Sequence, residues 1–128
     1  LMPDRLSTFY PNFTASRRPV PIERVNQKYV LSDGNQVLEL YPMLGSTHIG
    51  PMLLAYLPKQ KILVNADMYT PPAPGAQIPS QAMQGIQALK SNIDRLKLDV
   101  AQHVTLHGTP GPHENFLKLA STAKPATN

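Results

Sequence analysis

The sequence predicts an α/β domain, a half-sandwich in which helices cover one face of a sheet. Three observations carry this reading. Asp33-Gly34 sits between two β-prone runs, a strong short-range hairpin signal. Apolar runs flank Pro58-Lys59-Gln60, as two buried strands joined by a tight turn require. Ile86, Leu89, Ile93 and Leu96 then recur at spacings of three, four and three, the period of an amphipathic helix, and a strand-like run follows over 100–107. The predicted order is β-β-β-β-α-β-α.

The elements follow in turn. Residues 1–27 hold Pro3, Pro11, Pro19 and Pro21 without periodicity, so an extended N-terminal arm is expected. The domain then runs over 28–121. In 28–41 a two-residue turn at Asp33-Gly34 pairs Val30 with Val37 and Lys28 with Glu39, the second a favourable cross-strand charge match. In 52–66 a turn centred near Lys59 sets Leu57 opposite Lys61, Leu53 opposite Asn65 and Pro51 opposite Asp67. Pro71, Pro72, Pro74, Gly75 and Pro79 mark an exposed loop. A helix is expected over 81–98, with Ser80 as N-cap and with Lys90, Asp94 and Lys97 off the apolar stripe. Gly85 weakens its first turn by about 1 kcal/mol relative to Ala. After the strand at 100–107, Gly108–Pro112 is a turn and Pro112 opens a short helix to 121, with Phe116, Leu117 and Ala120 as its apolar face. The tail, 122–128, is expected to fray.

Composition removes several classes of function. No Cys means no disulfide framework, no thiolate zinc site and no cysteine nucleophile. Pro makes up 14 of 128 residues, about twice the usual share of roughly 5%, which limits long helices. No apolar run reaches the roughly 18 residues of a membrane span, so no membrane partner is expected. Arg17-Arg18 leads into Pro-Val-Pro-Ile-Glu rather than an apolar stretch, unlike a secretion signal. The opening Leu1-Met2 suits a piece of a longer protein. The net charge of +4, from 12 basic and 8 acidic residues, is scattered along the chain. A nucleic-acid surface clusters such charge on one face with aromatics between, so nucleic acid is not an expected partner.

Topology brings three distant side chains together. The open end of the hairpin 52–66 places the chain before Met52, with His48, beside the chain after Ala66, with Asp67. A strand–helix–strand crossover from Ala66 to the strand 100–107 makes those strands parallel, so their C-terminal ends point the same way. Asp67 and His107 each stand just past such an end. His48, Asp67 and His107 therefore share one rim of the sheet, where ligand sites of α/β sheets gather. Two imidazoles and a carboxylate suit zinc, iron or manganese. Bland roles fit the same residues: a turn histidine, a loop-capping aspartate, and a histidine bonded to a nearby carbonyl.

The segment Gly45-Ser-Thr-His48-Ile-Gly50-Pro-Met-Leu-Leu-Ala-Tyr-Leu-Pro58, continuing through Lys-Gln-Lys-Ile-Leu-Val-Asn-Ala to Asp67, resembles the second half of the metallo-β-lactamase superfamily. Leu106-His107-Gly108 is similar to the final His-Gly of that family, and Asn92–Asp99 to the helix before it. The resemblance covers roughly 28–120. It implies the C-terminal half of an αββα sandwich, with His48 a metal ligand, Asp67 the carboxylate bridging two metals, and His107 a ligand of the second. Zinc is the implied metal and hydrolysis the implied activity, on a small-molecule substrate the sequence does not specify. The family's first-half signature, His-x-His-x-Asp-His, is absent. The chain alone is thus expected to be inactive and to bind metal weakly. Its expected partner is the missing N-terminal half, or a further copy of itself through an uncovered apolar sheet face.

Other residues receive plainer readings. His103 is expected on the surface or partly covered, and His113 facing solvent. Tyr69 is expected to pack in the core or loop, and the Met residues to fill gaps in the core.

Overall fold

The structure is a computed structural model, and it describes residues 22–46 and 48–122; the arm over 1–21, Thr47 and the tail from 123 lie outside the described residues. Residues 22–28 form neither helix nor strand. The elements are β1 (Tyr29–Ser32), β2 (Val37–Met43), β3 (Met52–Leu57), β4 (Ile62–Asn65), α1 (Ser80–Leu96), β5 (Gln102–Thr105), β6 (Gly111–Pro112) and α2 (His113–Thr122). The strands form one mixed sheet in chain order.

The first hairpin forms with a different register from the one expected. Val30 pairs with Glu39 and Ser32 with Val37, so four residues make the turn. The tight alternative needs positive φ at both central residues, and only Gly34 has it. The Asp33 carboxylate instead accepts the backbone N–H of Asn35 at 2.8 Å and of Gln36 at 2.7 Å. Lys28 still reaches Glu39, now from a diagonal position.

The second hairpin is shifted by one residue as well. Leu57 pairs with Ile62 and Ala55 with Val64 around a four-residue turn that ends on Lys61 at φ 55°. Leu54 rather than Leu53 then stands opposite Asn65, and Met52 rather than Pro51 opposite Asp67. Burial agrees, since Leu54, Tyr56, Leu63 and Asn65 are all buried and a one-residue slip would turn half of them outward. The predicted parallel crossover is present, with Ile62 beside Gln102 and Asn65 beside Thr105.

α1 lies close to its expected place and buries Ile86, Leu89 and Ile93. It begins at Ser80, and Pro79 takes the N-cap position without a side-chain bond. It stops at Leu96 because Lys97 turns left-handed, with Lys97 N–H donating to Asp94 O and Leu98 N–H to Ile93 O. Lys90 and Asp94 pair on its outer side at 2.7 Å. Pro112 does not open α2; it closes β6, where Gln102 pairs with Pro112 and His103 with Gly111.

One core forms between the inner face of the sheet and the two helices. Tyr41, Met43, Met52, Leu54, Tyr56 and Leu63 meet Ile86, Leu89, Ile93 and Phe116 there. Burying side chains of this size contributes about 1.5–3 kcal/mol each before entropy is counted. Met43, Met52 and Met68 fill gaps in it as expected. On the opposite face Leu31, Leu53 and Leu106 are exposed, with Leu38, Leu40, Leu57, Ile62 and Val64 partly buried between them. No helix among the described residues is long and apolar enough to cross a membrane.

Candidate functional site

His48, Asp67 and His107 do meet. His107 Nε2 lies 3.1 Å from Asp67 Oδ1, and His48 Nε2 lies 3.5 Å from Asp67 Oδ2. One carboxylate thus spans two imidazoles with a different oxygen toward each. The parallel register explains the closer contact: Asn65 stands beside Thr105, and two residues further on the chain presents Asp67 beside His107. His48 arrives from the loop between β2 and β3, whose ends are fixed by the pairing of Met43 with Met52. The three side chains are 46%, 33% and 74% exposed for His48, Asp67 and His107, so they are open to a ligand from solvent. They line a cleft of about 570 Å³ that extends past Met68, Thr70 and Gln81 to Gly85.

Two local features hold Asp67 in place. Asp67 itself is left-handed at φ 61°, a conformation that aspartate tolerates better than most residues. The buried Asn65 closes the turn around it, accepting the Tyr69 N–H on Oδ1 at 3.0 Å. Behind this turn, α1 presses its backbone against Met68, and a Cβ on Gly85 would stand 2.9 Å from the Met68 carbonyl oxygen. Gly85 therefore marks a close approach of helix to site loop, where the sequence suggested only a weaker helix.

The donor set is two edges rather than one closed triad. No three His, Asp or Glu side chains among the described residues are grouped to hold a single metal ion. Two donors at about 2.0–2.1 Å from a tetrahedral ion stand about 3.3 Å apart. The two imidazole–carboxylate distances, 3.1 and 3.5 Å, lie on either side of that value. Imidazole with carboxylate is a donor pair for borderline divalent metals. The residues present are thus two imidazole–carboxylate pairs that share the Asp67 carboxylate.

Comparison with solved structures decides the fold. A metallo-β-lactamase from Pontibacter korlensis superposes with a TM-score of 0.53 at 21% identity, over 86% of this chain and 52% of that one. This chain has the fold of about half of a metallo-β-lactamase. An archaeal metallo-β-lactamase superfamily protein from Sulfolobus tokodaii gives 0.56 at 12% identity, over 95% of this chain and 50% of that one. Rubredoxin oxygen:oxidoreductase from Desulfovibrio gigas gives 0.55 at 15% identity, over 91% and 35%. No family model and no curated protein matches the sequence. The chain spans about half the length of the first two of these structures, as expected of a half-sandwich. At these identities the likeness to the metallo-β-lactamases concerns the fold, and a set that holds both a β-lactamase and an oxygen oxidoreductase leaves the chemistry of this chain to its own residues.

Two histidines depart from their expected places. His103 is 0% exposed, its Nε2 in hydrogen-bond contact with His113 Nδ1 at 2.8 Å. Phe116 packs 4.6 Å from its ring centroid and Tyr69 meets it edge-on at 5.2 Å. Burial, with the neighbouring His113, pushes the His103 pKa down to about 4. His113 is half-buried rather than solvent-facing, and burial lowers its pKa too. The reason is α2, whose Phe116 packs against His103 and stacks on His113. Tyr69 is buried in the core, in keeping with its expected packing role.

Sequence reasoning also passed over Asn92. Its position among Leu89 and Ile93 on the buried stripe of α1 was the available signal, since an amide there must find partners.

Proposed function

We propose that this chain is the C-terminal portion of a metallo-β-lactamase-like, metal-dependent hydrolase. In this reading it supplies part of a dinuclear site and is inactive alone. The observation that carries the reading is the single Asp67 carboxylate spanning His48 and His107, one oxygen to each. His48 and Asp67 would hold one ion, and Asp67 and His107 the other, with zinc the expected metal. When bound, such ions supply Lewis acidity and lower the pKa of a coordinated water toward about 7. Two ligands per ion fall short of the three that catalytic zinc sites ordinarily draw from protein. The remaining ligands would come from the complementary half-sandwich, which would also cover Leu31, Leu53 and Leu106 on the bare sheet face.

Titration calorimetry with zinc tests this. Weak binding is expected for the chain alone, reduced further in His48→Ala and in His107→Ala. Binding undetectable at millimolar zinc, or unchanged in His48→Ala, would overturn the reading.

A second reading is favoured by the exposed Leu31, Leu53 and Leu106: a non-catalytic module that associates with its own kind through that face. Sedimentation separates the two. Self-association that Leu53→Lys abolishes, in a chain that ignores zinc, supports the module.

A further inference from the structure

We infer that Asn92 is a positioning residue for His48, acting through the backbone of Leu44; this rests on the proposed role of His48 as a metal ligand. Asn92 lies on α1, is 2% exposed, and uses its full hydrogen-bonding capacity. Its Oδ1 accepts the Leu44 N–H at 2.9 Å and an Arg95 guanidinium N–H at 2.8 Å. Its Nδ2 donates to the Leu44 carbonyl at 2.7 Å and to the Ala88 carbonyl at 2.8 Å. One side-chain amide thus grips both polar backbone groups of a single residue 48 positions away in sequence. Arg95 adds a second fastening, donating to the Pro42 carbonyl at 3.1 Å.

Leu44 is the first residue after β2, and the segment from it to Pro51 carries His48. That segment contributes little to the core: Leu44, Gly45, His48, Ile49, Gly50 and Pro51 are all exposed. Apolar burial therefore does not fix where His48 stands. Among the described residues the other hydrogen bonds from this stretch are local, Ser46 Oγ to Met52 Sδ and His48 N–H to Ser46 Oγ, beside the contact of His48 with Asp67. Asn92 is the tie that joins the departure of this loop to the helix that also abuts Asp67 through Gly85 and Met68. One helix thereby sets both the imidazole and the carboxylate of the same edge. Groups bonded directly to a metal ligand commonly govern its affinity tenfold or more, and Asn92 acts on His48 at one further remove, through the loop backbone.

The test is a double-mutant cycle on zinc affinity of the full chain, joined to amide hydrogen exchange without metal. Asn92→Leu keeps the size of the side chain and removes all four bonds. It is expected to speed exchange at Leu44, Gly45, Ser46, His48, Ile49 and Gly50 while β3, β4 and α1 keep their protection. Zinc affinity is expected to fall about tenfold in Asn92→Leu, and not to fall further when Asn92→Leu is added to His48→Ala. A merely structural role would lower affinity equally in both backgrounds, and that result overturns the inference. So does unchanged loop exchange with a wild-type affinity. If His48→Ala alone leaves zinc binding unaltered, the metal reading fails instead, and the exchange data still decide whether Asn92 holds the loop. Should Asn92→Leu not fold, Asn92→Asp takes its place: it keeps the bonds to Leu44 N–H and Arg95, loses those to the carbonyls, and is expected to show the same pattern in smaller measure.

Discussion

The four histidines form two pairs that could hardly differ more. His48 and His107 stand at the rim, exposed, each turned to the Asp67 carboxylate. His103 and His113 sit inward, bonded to each other, with aromatic rings around them and no carboxylate paired with them among the described residues. His103 and His107 lie on the same strand path with the same face parity. What separates them is cover. α2 and Phe116 lie over the first and stop short of the second. Burial strips water from an imidazole and favours its neutral form, whereas exposure leaves it open to a ligand from solvent.

Removing the cover breaks the comparison most directly. Phe116 is fully buried and touches Tyr69, His103 and His113. Phe116→Ala is expected to cost about 3–5 kcal/mol in urea denaturation. In any fraction that stays folded, NMR titration should show the His103 pKa rising from about 4 toward the ordinary 6.5. A variant of wild-type stability would mean that α2 does not seal the inner pair.

Acid is the next lever. The His103 pKa is depressed to about 4 in the folded chain against 6.5 when free, so the unfolded chain takes up this proton first. Stability contributed by the neutral imidazole is complete above about pH 6.5 and is lost progressively as pH falls toward 4. The loss amounts to roughly 3 kcal/mol at most. Burial lowers the His113 pKa in the same sense, with Lys90 adding to it and Asp94 opposing. His103→Gln should flatten the dependence between pH 6.5 and 4; an equally steep profile in that variant would place the acid sensitivity elsewhere.

The sequence made the rim pair legible and the inner pair obscure, for a physical reason. The rim follows from topology alone: a hairpin, a crossover and strand direction bring Asp67 and His107 side by side whatever the register of the hairpin. Thus a one-residue error in pairing β3 with β4 left the convergence intact. The inner pair depends on how far α2 reaches over β5, which in turn depends on β6 beginning at Gly111. Two residues, Gly and Pro, carry no strand periodicity, so that edge and the burial beneath it were not readable. Asn92 and Gly85 were hidden differently. Each looks like a blemish in a helix, an amide in an apolar stripe and a weak former in a first turn, until the loops they hold are in place.

Gly85→Ala sharpens the contrast from the rim side. Its Cβ would meet the Met68 carbonyl oxygen at 2.9 Å, a backbone atom that cannot rotate away. Helix propensity favours Ala here by about 1 kcal/mol, and the clash opposes it by about 1–3 kcal/mol. A net loss of about 1 kcal/mol is expected in thermal melts, with NMR shift changes concentrated at Asp67 and Met68 and absent from His103. Stabilisation by the full helix-propensity gain would show that α1 and the Asp67 turn are free to part.

The smallest expected effect is the most telling for the rim. His107 is 74% exposed, and its contact with Asp67 at 3.1 Å stands open to solvent. Exposed ion pairs contribute about 0–1 kcal/mol. His107→Ala should therefore change stability by less than about 0.5 kcal/mol, whereas His103→Ala, which opens a cavity in the core, should cost several times as much. A residue that costs almost nothing to remove, yet stands in register beside a left-handed aspartate, contributes little to holding this fold together. If His107→Ala instead destabilised the chain as strongly as His103→Ala, the rim histidine would be a structural latch, and the argument for a ligand there would lose its footing.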